Sequence, residues 1–270
     1  MRRNRHTPAE INTGEAHSAR VYDYILGGKS NYEADRAAGD AMVQAWPSLP
    51  VHMRANRAFM HRAGAYLARE KGVRQFLDIG TGLPTPPNLH EVVQEVEPTA
   101  RIVYVDNDPI VLNYAEALLT SGRQGQTAYV EADMREPEEI VNSPEFQETL
   151  TLNEPVALMI IGILHFIHTS DDDHGLVRRL LDPLPPGSYL AATIGTADFA
   201  PKEVGQVAAL YESEGMPMQL RDHSEALTFF DGLELIEPGV VQAHHWRPNP
   251  GDQPIDDRDV AMYGGVARKP

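Results

Sequence analysis

The sequence predicts an α/β protein with helices on both faces of a mostly parallel sheet, and three features point to it. From Val73 onward, short apolar runs alternate with segments of helical period. The fourth run, from Ala157 to Leu164, is apolar almost throughout, as a strand buried on both faces must be. The first run, Gln75-Phe76-Leu77-Asp78-Ile79, ends in a Gly80-Thr81-Gly82 turn, where glycine lets the backbone bend tightly and approach a ligand closely. A Gly-x-Gly turn after a strand also occurs for purely structural reasons, so its neighbours must decide what it means.

In order along the chain, residues 1–17 are polar and basic and predict a flexible lead-in, followed by an N-terminal helical extension over 18–72 and the main domain over 73–270. Within the extension, Val21, Tyr24 and Ile25 share one helical face before the Gly27-Gly28 break. Asp35–Trp46 predicts a helix stopped by Pro47, and Val51–Glu70 a longer one stopped near Gly72. The aromatic and Gly-Gly content of 19–32 suggests a lid, although a short amphipathic helix packed on the main domain explains it equally well.

Strands are expected at Gln75–Ile79, Arg101–Asp106, Thr127–Glu131, Val156–Ile163, Tyr189–Ile194, Glu234–Pro238 with Gln242–Trp246, and Val260–Ala267. The helices expected between them are Leu89–Val96, Pro109–Thr120 with Val111, Leu112, Ala115, Leu118 and Leu119 on one face, Gly175–Leu181, Pro201–Glu214 and Ser224–Phe230.

Bulk composition narrows the setting. The 270 residues suit one α/β domain with an extension. With 23 basic and 39 acidic residues the formal net charge is −16, and an acidic surface repels phosphate backbones, so no nucleic-acid partner is expected. Cysteine is absent, which removes disulfides, thiolate metal sites and a thiol nucleophile. Met1-Arg2-Arg3-Asn4-Arg5-His6 leads into no apolar signal region, and no stretch approaches the ~20 apolar residues of a membrane span, so a soluble cytoplasmic protein is expected.

A nucleoside ligand at the carboxyl edge of such a sheet should leave marks on the next strands as well. Ile102-Val103-Tyr104-Val105 ends at Asp106, an acid placed to accept both hydroxyls of a ribose, 24 positions after Gly82 against the usual spacing of about 20. In Asp106-Asn107-Asp108-Pro109, Asp108 serves as the helix N-cap before proline. After the third strand, Asp133 can receive an adenine amino group while Met134 lies against the ring. The fourth strand delivers His165-Phe166-Ile167-His168 to the same edge, with His165 either a structural hydrogen-bonding group or a catalytic residue.

These features together resemble the class I S-adenosylmethionine-dependent methyltransferases over roughly residues 73–267. The resemblance implies a Rossmann-like fold, a mostly parallel seven-stranded sheet with an antiparallel last strand, and S-adenosyl-L-methionine as cofactor. More narrowly, Val21-Tyr22-Asp23-Tyr24-Ile25-Leu26-Gly27-Gly28-Lys29, Arg54-x-Asn56-Arg57 and Asp78-Ile79-Gly80-Thr81-Gly82-Leu83-Pro84-Thr85 look like the actinobacterial S-adenosyl methyltransferase family once described only as a domain of unknown function. The cofactor contacts it implies are Tyr22, Lys29, Asn31 and Arg57 from the lid, Asp78, Gly80, Thr81 and Gly82 from the turn, and Asp106, Asn107, Asp133, Met134 and Leu164 from later strand ends. Pro84 stands where the common pattern often has a third glycine.

No Asn-Pro-Pro-Tyr-like tetrad follows the fourth strand; Ile163-Leu164-His165-Phe166 takes its place, which favours an oxygen or other small-molecule methyl acceptor. Asp171-Asp172-Asp173-His174 suggests an oxygen-ligand metal site less well than it suggests a helix start, with Thr169 or Ser170 as N-cap and acids complementing the dipole. His244-His245 is expected on a strand surface, its rings on opposite faces, so no metal is assigned. Two other functions fit less well: a cofactor-binding protein without catalysis, and a nicotinamide-dependent oxidoreductase.

Overall fold

A computed structural model describes residues 13–111, 114, 121, 122 and 124–270 of the chain. Most of the expected lead-in, and Leu112, Ala115, Leu118 and Leu119 of the expected helix after Pro109, lie outside the described residues; the chain is helical at 109–111 and at 114.

The sheet contains β1 (Gln75–Ile79), β2 (Arg101–Asp106), β3 (Gln126–Glu131), β4 (Ala157–Ile160), β5 (Tyr189–Gly195), β6 (Glu234–Leu235), β7 (Val241–Gln242) and β8 (Met262–Arg268). The order is β3-β2-β1-β4-β5-β8-β6, with β7 also paired to β8. β1 to β5 are mutually parallel, whereas β8 runs antiparallel to β5, β6 and β7. The expected mostly parallel sheet is therefore present with eight strands rather than seven, because the two closing candidates each contribute a two-residue strand against β8.

Strand alternation explains the two-sided core. In β1, Phe76 enters one apolar cluster while Leu77 and Ile79 enter the other; in β4, Ala157 and Met159 face the first cluster, and Leu158 and Ile160 the second. The first cluster is closed by helix α3 (Leu49–Lys71) through Ala55, Phe59, Met60, Ala63 and Leu67. The second half of the expected lid thus covers the sheet. It ends at Gly72, whose φ of +66° supplies the left-handed C-cap.

Helices α1 (Ser18–Ile25) and α2 (Glu33–Ala45) form a third cluster with helix Pro201–Ser213, built on Val21, Met42, Trp46, Val207 and Tyr211. A buried pair fastens α1 to α2. Asp35, fully buried, accepts from Arg20 Nε at 3.1 Å, from the His17 backbone N–H at 2.9 Å and from the Tyr32 backbone N–H at 2.8 Å. His17, the last residue of the expected lead-in, is thereby joined to α2.

Differences from expectation sit where tertiary contacts override local pattern. β4 stops at Ile160, and Gly162, at φ +75°, donates its N–H to Thr193 Oγ1 at 2.8 Å instead of continuing the ladder. Helix α4 (Leu89–Val96) is as expected, whereas the short helices Pro137–Val141 and Pro144–Thr149 were not anticipated. His244 and His245 lie on the turn Ala243–His245, a 3-10 helix, and not on a strand. Their rings are 3.9 Å apart and both Nε2 atoms approach Asp257 Oδ1, at 3.2 and 2.7 Å, because a helical turn lets adjacent side chains converge. Among the described residues, no helix is long and apolar enough to cross a membrane.

Asp35→Ala removes the carboxylate that receives Arg20 and two backbone N–H groups in the interior, and should cost about 3 kcal/mol or more, seen as a lower urea midpoint with an unchanged slope.

Candidate active site

A cavity of about 260 Å³ opens at the carboxyl ends of β1 to β5. Its floor is set by backbone geometry. Gly80 and Gly82 have φ of +68° and +66°, and a Cβ on Gly80 would collide with Ile163. The Gly80 and Thr81 N–H groups donate to Val105 O at 2.8 and 3.1 Å, and Gly82 N–H donates to Asp106 Oδ2 at 2.8 Å, stitching the turn to the end of β2. Asp106 Oδ1 accepts from the Asp108 N–H at 3.0 Å, while Asp108 Oδ1 caps the following helix at the Ile110 N–H, 2.8 Å away. Each Asp106 oxygen still has acceptor capacity for a hydroxyl.

Asp78 and Asp106 are 4% and 8% exposed. Burial pushes the Asp78 carboxyl up to about 7, with Arg57 opposing and Asp106 reinforcing the rise; burial also raises Asp106, against its two backbone donors. Asp133 is half-buried and behaves differently. Burial raises it, but the Arg135 backbone N–H and the Asn107 amide, 2.8 and 2.9 Å from its oxygens, outweigh that and hold it below the usual carboxylate range. Asn107, Asp133 and Met134 all line the cavity, as do Thr81 and Gly82.

Of the four lid candidates, the structure brings two to the cavity. Tyr22 lines it, donating its hydroxyl to Met53 O at 2.9 Å and accepting from Asn56 Nδ2 at 3.4 Å. Arg57 also lines it, with its guanidinium holding the Thr85 and Pro87 carbonyls of the proline loop. Lys29 is exposed and away from the cavity. Asn31 does not line the cavity but is buried behind it, its amide donating at 2.8 Å to Oδ2 of the cavity-lining Asp23. Leu164 points away too, fully buried in the cluster beneath the sheet.

His165 lines the cavity and is 6% exposed, and its Nδ1 is buried without a hydrogen-bond partner. Burial lowers its pKa to about 3, with His52 and Arg221 adding to the effect, so the ring is neutral and too weak a base to store a proton at neutral pH. Glycine at 195 makes room for it, since a Cβ there would lie 3.1 Å from His165 Cβ.

The loop that carries His165 is held by Arg221, 2% exposed, which donates to Leu164 O at 2.9 Å, Ile167 O at 2.8 Å and Asp173 Oδ2 at 2.5 Å. Asp173, in the first turn of the helix Asp173–Leu181 where an acid was expected, also serves as a buried counter-ion to Arg221. The expected cap at Thr169 or Ser170 is replaced by a 3-10 turn and by Asp172 at φ +58°.

Sequence reasoning missed Trp46, His52, Tyr211 and Arg221, and quoted Asn56 without assigning it a role. His52 and Asn56, one helical turn apart in α3, both line the cavity, a spacing visible in the sequence. Arg221 leaves no local signal, because apart from Gln219 O its side-chain partners come from 48 to 57 positions away. Asn56 Oδ1 is buried without a partner, an acceptor open to an incoming donor.

A family model described as S-adenosyl methyltransferase matches residues 4–270. Among solved structures, a DUF574 family protein from Streptomyces avermitilis MA-4680 is similar at 61% identity, with a TM-score of 0.95, over 97% of this chain and 100% of that one. A candidate methyltransferase from Thermobifida fusca YX is similar at 37% identity, with a TM-score of 0.88, over 97% of this chain and 98% of that one. The plantazolicin methyltransferase BpumL, solved in complex with S-adenosylhomocysteine, shares the fold at 11% identity and a TM-score of 0.53, over 93% and 95% of the two chains. No curated protein matches the chain.

Two measurements probe the acids. Asp106→Ala should weaken S-adenosylmethionine binding by about 1–3 kcal/mol in calorimetry through unpaired ribose hydroxyls, and unchanged affinity would reduce Asp106 to a turn residue. If Asp78 meets the cofactor's α-ammonium group, affinity should be greatest between about pH 7, where the acid ionises, and about pH 8, where the amine loses its proton, and should fall by up to about ten-fold per pH unit below that window. Asp78→Asn should flatten that profile.

Proposed function

The chain belongs to the S-adenosyl methyltransferase family, and from that premise we propose that it transfers the sulfonium methyl group of S-adenosylmethionine to an oxygen of a small-molecule acceptor. The observation that carries this is the row of acids Asp78, Asp106 and Asp133, set at three successive strand ends and opening on the same cavity. Each matches one part of the cofactor. Asp78 faces the methionine amino group, Asp106 takes the ribose hydroxyls, and Asp133 takes the adenine amino group with Met134 against the ring.

Within the same reading, Tyr22 and Arg57 close the cavity from the α1 and α3 side. Arg57 fixes the proline loop, and Asn56 offers its open Oδ1 to a donor on the ligand. Methyl transfer is an in-line displacement: an acceptor lone pair forms the new O–CH3 bond as the C–S bond breaks, sulfur keeps the electron pair, and the acceptor proton passes to water. The protein's part is to align the reacting atoms and desolvate them during the displacement, the proton leaving to solvent once the new bond has formed. His165 meets the acceptor as a neutral ring.

An oxygen acceptor is supported by the absence of an Asn-Pro-Pro-Tyr-like tetrad after β4, where His165 and Phe166 stand instead. S-adenosylmethionine or S-adenosylhomocysteine at about 100 times Kd should add about 2.7 kcal/mol of stability and raise the melting midpoint, while a nicotinamide dinucleotide should leave it unchanged. Stabilisation by the dinucleotide alone would overturn the proposal.

A further inference from the structure

The charged side chains that line the cavity are unevenly distributed. Asp78 and Asp106 lie at the carboxyl ends of β1 and β2, Asp133 and Arg135 follow β3, and Asp23 and Arg57 come from α1 and α3. The sheet order places β4, β5 and β8 on the other side of β1. From there, from the end of α2 and from helix Pro201–Ser213 with the segment after it, the lining residues include Trp46, Phe166, Val207, Tyr211, Met218 and Leu220, and none is Asp, Glu, Lys or Arg. Most of these side chains also pack together in the third apolar cluster.

The polar groups on this side include two imidazoles, His52 and His165, and both are held neutral. Burial lowers His52 to about 4 and His165 to about 3. Tyr211 stays a neutral phenol, because burial raises its pKa. The His52 ring accepts the Ala261 backbone N–H at Nδ1, 3.1 Å away, so its own proton resides on Nε2. His165 Nδ1 is sealed off with no acceptor nearby, and a proton there would be stranded, so this ring also favours the Nε2–H tautomer.

We propose that this half of the cavity binds the methyl acceptor, and that the acceptor is an uncharged, largely apolar small molecule presenting an oxygen to the imidazole N–H groups of His52 and His165. This rests on the methyltransferase reading above and narrows it to a substrate class. An acceptor bearing a carboxylate, phosphate or ammonium group would bury that charge against Trp46, Val207 and Tyr211, whereas Arg135, which reaches the edge of this half at Phe166 O (3.1 Å), is already paired with Asp133 and Asp171. A flat or branched apolar body loses nothing there. Its oxygen supplies an acceptor for the two imidazole donors, which gives the pocket orientation as well as affinity.

The test titrates the full chain, loaded with S-adenosylhomocysteine, with four matched probes at pH 7: 2-naphthol, naphthalene, 6-hydroxy-2-naphthoate and 6-(aminomethyl)-2-naphthol. 2-Naphthol should bind about ten-fold or more tighter than either charged probe, and measurably tighter than naphthalene. Met218→Lys, at a partly exposed position of the wall where a cation is tolerated, should shift preference toward the naphthoate by a similar factor while leaving the S-adenosylhomocysteine titration unchanged. Equal or tighter binding of a charged probe, no binding of 2-naphthol, or an unmoved preference in folded Met218→Lys would each overturn the proposal with the methyltransferase reading intact. Failure of the protein to bind S-adenosylhomocysteine at all would overturn that reading and this proposal with it.

Discussion

The site depends on two carboxyl groups, Asp78 and Asp106, buried at the ends of neighbouring parallel strands in a protein that already carries a net charge of −16. Two acids so placed resist ionisation, and each is raised by burial. They persist because the backbone is arranged around them. The Gly82 and Asp108 N–H groups point at Asp106, and Arg57 lies near enough to Asp78 to oppose its rise. The positive φ of Gly80 and Gly82 is part of the same arrangement, since the turn must fold back against Val105 O to aim Gly82 N–H at the carboxylate. A cavity of this kind favours a ligand that brings hydroxyl groups and a cation, which are what the acids lack.

Across the sheet the environment changes from acidic to apolar, and strand order produces the change. β1 lies between β2 and β4, so residues after β1 border both the charged half and the uncharged half. Arg221 holds the uncharged half in shape. Its guanidinium takes two carbonyls of the loop after β4 and the carboxylate of Asp173, a pair 2% exposed on each side, while its own backbone N–H donates to Gly195 O at the end of β5. One side chain thus fixes the loop that carries His165 and ties it to the segment that lines the apolar wall.

Local pattern made the strands legible because burial on both faces demands apolar runs, and it made Asp106, Asp133 and Met134 legible because each follows such a run directly. It failed where partners are distant or helices short. Pro137–Val141 and Pro144–Thr149 are too short to show a helical period. Lys29 and Asn31 sit in a suggestive stretch, but the turn they belong to is organised by Asp23, which takes the Asn31 amide for itself. Leu164 follows β4 as a contact residue should, yet the 3-10 turn Leu164–Phe166 rotates it into the core and presents His165 to the cavity.

By itself the sequence determined the sheet, the glycine turn and the acids at its edge, since these follow from periodicity and from residues adjacent in the chain. Only the tertiary structure decided which side of the cavity is charged, that α3 is a wall of the core, and that His165 is a neutral ring beside His52. Those properties depend on burial and on contacts such as Arg221 to Leu164 and Ala261 to His52, the latter spanning 209 positions, which no local pattern encodes.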